Sequence, residues 1–392
     1  MDIAFITSYY KEEIGGADIS TRLLADGLIN KGYSVNIINI KANFLVLKRF
    51  LLNTNIYDYF LKRYIKKRIK KNTDLIHVHD LMLLPASVEL AKELNIPIII
   101  TVRDYRFISN LPVLEVENNL IKKIDKKEYI SLLKKEIKSR LLANLIYPLI
   151  NNRPKKIREA LNKCDKIISI SDFINNNLIN NNVRKDIITI HNPCPDWKPA
   201  KLKPHKELLL FAPGRLEHYK GFHILINSIN DLIKDYNIKN IKLIIAGTGN
   251  YETQLKELTS KLELNNCIEF TGKISYGGMK DYYQNSDIII FPSIWPEPLG
   301  RIPLEAISSS KPIIASNIGG IPEIVNEKTG ILVKPNDKEE LTKAILKLIK
   351  DKNLRLRLGK EANKLYDKFS QENFVRKMID IYHQINKQPY KS

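Results

Sequence analysis

Short runs rich in isoleucine and valine recur along this chain with helical patterns between them, and that alternation constrains its fold more than any other feature. In the first half, Asp2–Thr7, Ser34–Ile40, Asp74–His79, Pro97–Thr101, Asp165–Ile170 and Asp186–Ile190 read as buried strands. Helical stretches such as Ala17–Lys31 and Ala86–Leu94 separate them. Strand–helix–strand alternation implies parallel strands joined by right-handed crossovers. A Pro/Lys-rich passage, from Asn192-Pro193-Cys194-Pro195 through Pro199 to Pro204, has the composition of an interdomain linker. The same rhythm restarts at Leu208–Ala212 and continues with strands at Lys242–Ala246, Ile268–Thr271, Asp287–Phe291, Pro312–Ser316 and Gly330–Val333. The tail, about Lys338–Gln388, reads as almost entirely helical, with breaks near Lys352 and Ser370. The expected fold class is α/β, with two Rossmann-like domains over 1–195 and 205–370 enclosing a cleft, followed by a terminal helix over 371–392. Ligands of such sheets bind beyond the carboxyl ends of the strands, so functional residues are expected in the loops that follow strands.

Composition narrows the class further. A length of 392 residues fits two domains, and 44% hydrophobic with 27% charged residues excludes wholesale disorder. The three cysteines, Cys164, Cys194 and Cys267, are scattered and odd in number, which argues against a disulfide framework or zinc knuckle and favours a reducing compartment. The N-terminus lacks the basic region and long apolar run of a signal peptide, and no stretch approaches the ~20 apolar residues of a membrane span. The expected location is therefore cytoplasmic. The net charge of +20 is concentrated: residues 48–72 carry a net +8 and residues 121–163 a net +9. Such a field points to a polyanion, whether an anionic membrane, nucleic acid or a phosphorylated substrate, unless the lysines are simply solvated helix faces.

The loops after the strands carry the candidate chemistry. Gly15-Gly16 opens a helix after the first strand; it is not the nicotinamide fingerprint, but a helix N-terminus can hold a phosphate. In Ile76-His77-Val78-His79-Asp80 the two histidines face one side of a strand. His77 reads as a core histidine, and His79, at the strand's carboxyl end, as a substrate contact. No third ligand stands near them in sequence, so a metal is not expected. Pro213-Gly214-Arg215 followed by Lys220-Gly221 supplies two cations at a helix entrance, a combination suited to a diphosphate. The most specific stretch is Pro292–Ala306, where Glu297 and Glu305 are separated by seven residues, with the amides of Leu299 and Gly300 between them. Two carboxylates so placed can bind hydroxyls at two points along a polyhydroxylated ligand. Gly319-Gly320 follows another strand, a glycine pair where backbone must come close to something.

Taken together, these residues resemble the E-x7-E motif and the glycine-rich loops of the retaining family 4 ("group 1") glycosyltransferases, which have the GT-B fold. The resemblance runs along nearly the whole chain: Gly15-Gly16, His79, Gly214-Arg215 with Lys220-Gly221, Gly247-Thr248-Gly249, Glu297 to Glu305, and Gly319-Gly320. It implies transfer of a sugar from a UDP- or GDP-sugar to a glycan or lipid-linked saccharide, without metal or other cofactor. Arg215 and Lys220 would hold the donor diphosphate and Glu305 the ribose. Glu297, with the amides of Leu299 and Gly300, would meet the transferred sugar and phosphates. The backbone of Ile274 would meet the base, and His79 the sugar near its 6-position. The terminal helix after Ser370 would cross back to the first domain, the acceptor side. Arg301 stands where many relatives carry an aliphatic residue.

Two other classes compete. A nucleic-acid-binding protein is suggested by the charge, but no helix-turn-helix, RRM or zinc pattern accompanies it, and nucleic acid is not an expected partner. A sugar-nucleotide epimerase would use one sugar nucleotide and no acceptor, while a phosphorylase of this architecture would be longer and carry a cofactor lysine. The basic segments suggest a further partner. Ile56–Lys70 reads as an amphipathic helix with Tyr57, Phe60, Leu61, Tyr64 and Ile65 on one stripe, and Lys134–Ile150 joins lysines to an apolar run. Either the stripes pack on the protein itself, or they dock the protein peripherally on an anionic membrane.

Overall fold

The computed structural model describes residues 1–8, 15–40, 55–109, 116–117, 120–121, 130, 152–184, 186–197 and 206–386. The basic stretch Lys134–Ile150, residues 48–54 and the end of the Pro-rich passage lie outside them. The chain divides into two compact units, Met1–Asn192 with Gln371–Ser392, and Pro193–Ser370.

The first unit holds β1 (Asp2–Thr7), β2 (Ser34–Asn39), β3 (Leu75–Val78), β4 (Ile98–Val102), a short ladder of β5 (Val116–Glu117) with β6 (Leu120–Ile121), then β7 (Lys166–Ser169) and β8 (Ile187–Thr189). Its six-stranded sheet runs β2-β1-β3-β4-β7-β8, with every pairing parallel. Alternate residues serve opposite faces, as a pleat of period two requires. Ile3, Phe5, Leu75, Ile99 and Ile168 gather on one face with Leu24, Ala25 and Leu28 of the Gly16–Asn30 helix. The chain's last described helix, Gln371–Asn386, completes that face with Phe374, Val375, Met378, Ile381 and Tyr382. At Gly27 the two helices come so close that an added Cβ would stand 2.4 Å from a Val375 methyl.

The second unit contains β9 (Leu208–Pro213), β10 (Ile241–Ala246), β11 (Ile268–Gly272), β12 (Ile288–Phe291), β13 (Ile313–Ser316) and β14 (Gly330–Val333), in the order β11-β10-β9-β12-β13-β14 and again all parallel. Leu210, Leu243, Ile288, Ile290 and Ile314 face one core, and Phe211, Ile289, Phe291, Ile313 and Ala315 the other. Every strand read from the sequence lies within one residue of its position here. Both sheets are doubly wound with Rossmann-like connectivity. Their strand order reverses beside the first strand, between β1 and β3 in one unit and between β9 and β12 in the other. Loops diverge to opposite faces at such a switch point and leave a crevice.

Two sequence expectations change. The start of the Pro-rich passage is not a loose linker. Trp197 is buried among Tyr276 and Tyr283 at 5.5 and 5.4 Å between ring centroids, and its main-chain N–H donates to Ser308 Oγ at 3.1 Å. An indole buries enough apolar surface to hold an otherwise irregular segment. The helix read over Ile56–Lys70 spans Asn55–Lys66, and of the five residues read on its apolar stripe Phe60 does not join the buried face. Tyr57, Leu61 and Ile65 are buried, Tyr64 is half-buried, and Phe60 stands exposed beside Tyr59. The reason is Asp58, which is buried and turns the inward face toward itself, about 100° around the helix from Tyr57.

Asp58 faces Arg153, whose Nη1 donates to both carboxylate oxygens at 2.8 and 2.9 Å while Nη2 donates to the Met82 carbonyl in the loop after β3. Arg153 is fully buried, so the pair is a desolvated tie between two helices and that loop. Arg153→Met should cost about 3–5 kcal/mol, because it leaves the buried Asp58 carboxylate with only the Lys156 ammonium, 3.8 Å away. Urea denaturation of this variant and of Asp58→Asn/Arg153→Met checks the cause: the double variant should recover part of the loss.

Candidate active site

In the second unit the loops after β9 and β12 flank the switch point. The first carries Gly214, Arg215 and a 3-10 turn at His218–Lys220; the second runs from Pro292 to Gly300 and leads into the Arg301–Ser308 helix. They are bonded together: the Ile294 N–H donates to the Tyr219 carbonyl at 3.0 Å. Gly221 permits this approach, since its φ is +73° and a Cβ there would lie 1.9 Å from the Pro292 carbonyl oxygen.

This contact brings the sequence-predicted pair together. Lys220 Nζ donates to Glu297 Oε1, and Ser293 Oγ donates to the same oxygen at 2.8 Å. Both charged side chains are about nine-tenths buried, at 11% and 8% exposure. The ammonium also sits 5.4 Å from the Tyr219 ring, 5.4 Å from Trp295 and 5.8 Å from Phe291. Aromatic faces attract a cation and exclude water, which strengthens the charges they surround. Arg215 is exposed, with its guanidinium carbon 5.9 Å from the centroid of the same Tyr219 ring. One tyrosine thus carries two cations at the end of β9.

Gly319-Gly320, after β13, meets the backbone of the Glu297 loop. Gly320 N–H donates to the Glu297 carbonyl at 2.8 Å, and a Cβ on Gly319 would stand 2.3 Å from that carbonyl oxygen. The glycine pair therefore positions Glu297 by its main chain.

Glu305 lies one helix turn inside the Arg301–Ser308 helix and is buried. Tyr283 donates to its Oε2 at 2.6 Å and Arg301 Nε to its Oε1 at 3.4 Å, while Arg301 Nη2 donates to the Tyr276 hydroxyl at 2.9 Å. Burial first, then the Glu305 charge, holds the Tyr283 phenol well above its ordinary pKa, so it remains a donor. Arg301, which stood apart in the sequence, is thus the ion-pair partner of Glu305. Gly300 is the N-cap of this helix, and Leu299 beside it is buried. Ile274 is half-buried between β11 and the Tyr276–Asn285 helix, against the cluster of Trp197 and Tyr283.

In the first unit, His79 and Asp80 follow β3 and Ser8 follows β1, on the two sides of that switch point. Ser8 Oγ donates to Asp80 Oδ2, and Arg106 Nη1 donates to Asp80 Oδ1 at 2.9 Å. His77 is a core histidine, with Nδ1 2.8 Å from the Tyr382 hydroxyl and Nε2 2.8 Å from Thr101 Oγ1. His79 is buried too. Its Nδ1 lies 3.3 Å from Arg103 Nη2, and its Nε2 has no hydrogen-bond partner. Burial above all, then the neighbouring charges, holds both imidazoles well below their usual pKa. Gly15 caps the helix that begins at Gly16, and Asp18 occupies the first turn, where a carboxylate complements the helix dipole. Among the described residues no cluster of three His, Cys, Asp or Glu could hold a metal ion.

Sequence reading missed Ser293, Tyr283 and Arg103. Arg103 had a usable signal, because a charged residue directly follows the fully buried β4 at its carboxyl end. Tyr283 and Ser293 had none beyond their polar atoms.

Gly319→Ala should destabilise the protein by about 2–4 kcal/mol, combining a left-handed backbone with overpacking against the Glu297 loop. Gly277→Ala is the control: it is helical, with open space around a Cβ, and should gain up to about 1 kcal/mol. Denaturation midpoints of the two variants, moving in opposite directions, check this.

Comparison with known proteins gives the chain its relatives. The family model "Glycosyl transferases group 1" matches residues 195–365, and "Glycosyltransferase Family 4" matches residues 14–196. An uncharacterized glycosyltransferase of Methanocaldococcus jannaschii is 24% identical over 97% of this chain and 98% of its own. Among solved structures, HepE of Anabaena in complex with UDP superposes with a TM-score of 0.73 at 17% identity, covering 98% of this chain and 100% of that one. It was also solved with UDP-glucose. Sucrose-phosphate synthase of Thermosynechococcus elongatus reaches a TM-score of 0.74 at 20% identity, covering 98% of each chain. With the two family models covering successive halves of the chain, one on each doubly wound unit, this protein belongs to the family 4, group 1 glycosyltransferases and has their GT-B fold.

Proposed function

We propose that the protein transfers a glycosyl group from a nucleoside diphosphate sugar to a saccharide hydroxyl, with retention of anomeric configuration. The observation that carries this reading is the Lys220–Glu297 pair, buried and ringed by aromatics at the switch point of the second sheet, with Arg215 beside it. Arg215 and Lys220 bind the diphosphate, Lys220 using the N–H donors that Glu297 leaves over. Gly15-Gly16 offers amide donors to a phosphate from the first unit. Glu297, with the amides of Leu299 and Gly300, receives the sugar. Glu305, held by Tyr283 and Arg301, accepts from the ribose, and the Ile274 backbone meets the base. The relative solved with UDP and with UDP-glucose makes UDP the first nucleotide to test.

In the reaction the bond from the sugar's anomeric carbon to the diphosphate oxygen breaks and one to the acceptor oxygen forms. Negative charge grows on the leaving diphosphate, and Arg215 and Lys220 stabilise it where water is excluded. The leaving phosphate oxygen takes the acceptor's proton. No metal has a part in this scheme, so EDTA should leave turnover unchanged.

Nucleoside diphosphate release that requires an acceptor tests the reading; release without one, or epimerisation of the donor alone, supports the epimerase alternative. Lys220→Ala and Glu297→Gln should each lower kcat by about 10²–10³-fold, or about 2.7–4 kcal/mol, with folding intact by circular dichroism. NMR of the product's anomeric proton reads the stereochemistry.

A lipid-linked acceptor is favoured by the exposed pair Tyr59 and Phe60, 54% and 48% accessible, beside Arg63 and Lys67 on the Asn55–Lys66 helix and its end. Lys62 and Lys66 are partly neutralised by Glu89 and Glu93, so fewer cations face outward than the sequence suggests. Among the described residues no helix is long and apolar enough to cross a membrane. Peripheral docking on the cytoplasmic leaflet predicts co-sedimentation with anionic vesicles that weakens with salt and with Phe60→Ser; absence of binding at low salt favours a soluble acceptor.

A further inference from the structure

The two histidines of β3 and its loop share a motif and differ in one respect. His77 has a partner on each ring nitrogen, whereas His79 has one on Nδ1 and none on Nε2. His79 is 1% exposed, so solvent does not take the vacant role. Its ring is packed between Phe5 and His77, at centroid separations of 4.5 and 3.9 Å.

The neighbour on Nδ1 decides where the proton is. A guanidinium has five N–H donors and no acceptor. With Arg103 Nη2 at 3.3 Å, Nδ1 must offer its lone pair, and the single proton of the neutral ring sits on Nε2. Arg103 is itself held in place. It follows β4 without an intervening residue, is buried, and donates from Nη1 to Asn192 Oδ1 at 3.2 Å. A buried N–H without an acceptor carries an unmet desolvation cost, a deficit that a bound oxygen removes.

We propose that Arg103 is a positioning residue that locks His79 as the Nε2–H tautomer, so that His79 serves glycosyl transfer as a hydrogen-bond donor to a sugar oxygen and not as a base. The catalytic half of this statement rests on the glycosyltransferase reading above; the tautomer does not.

Imidazole 15N shifts of histidine-labelled full-length protein test both halves, with His79 assigned by the signals lost in His79→Gln. In the wild type, Nδ1 should resonate as an unprotonated and Nε2 as a protonated nitrogen at neutral pH. Arg103→Met should move both toward the tautomer average, and Arg103→Lys, which keeps a donor, should retain the wild-type pattern. With whichever nucleotide sugar the wild type turns over, Arg103→Met should lower kcat about tenfold or more, and Arg103→Lys should recover part of it. An Nδ1–H tautomer or an imidazolium in the wild type overturns the proposal, as does an unchanged tautomer in Arg103→Met. A moved tautomer with undiminished kcat overturns the catalytic half and leaves Nε2 to a buried water. If the wild type turns over no nucleotide sugar, the functional reading fails while the tautomer result stands by itself.

Discussion

The ion pair between Lys220 and Glu297 depends on two loops being closer than side chains would ordinarily allow, and much of the second unit serves that approach. Gly221 lets the β9 loop touch the Pro292 carbonyl, and Gly319 lets the β13 loop press on the main chain of Glu297. With the backbones zipped, Ser293 reaches the carboxylate and three aromatic rings close around the ammonium. Charges withdrawn from water are costly unless paired and hydrogen-bonded. Here that requirement is met before any ligand arrives, so the site's electrostatic frame belongs to the folded protein.

The first unit is organised around a different dependency. Its sheet is covered on one face by the chain's own C-terminal helix, whose Tyr382 reaches the β3 histidine through 305 residues of sequence separation. That helix is part of the core and cannot be treated as an appendage. By satisfying both ring nitrogens of His77 and leaving Nε2 of His79 vacant, the fold gives two chemically identical side chains different hydrogen-bonding states. The division is made by neighbours: Tyr382 and Thr101 for one, Arg103 alone for the other.

Much of this was legible in the sequence. Parallel strands buried on both faces must be continuous apolar runs, so Ile98–Val102 or Ile288–Phe291 announce themselves, and the loops that follow are then fixed by counting. The Glu297–Glu305 spacing and the glycine pairs were visible for the same reason, since close backbone approach and carboxylate placement demand particular residue types. Arg301 was visible but carried no assigned role, and the Pro193–Trp197 segment was read only as linker, because an arginine's partner and a tryptophan's packing are properties of space. The stripe read on the helix at Asn55–Lys66 included Phe60, which is exposed, since periodicity could not show that Asp58 would be buried against Arg153.

The sequence by itself determined two doubly wound sheets, the carboxyl edge of each at which the candidate residues stand, and the residue types gathered there. Its local patterns suffice because a strand's burial and a glycine's backbone are settled within a few residues. Only the tertiary structure decided that Lys220 pairs with Glu297, that Arg301 and Tyr283 hold Glu305, and that Arg103 stands on His79. Those pairings join residues from 4 to 77 positions apart, and nearly all of them cross from one strand's loop or helix to another's. Hydrogen bonds and ion pairs act over about 3 Å, so which partners meet is settled by the packing of the sheets and helices that carry them.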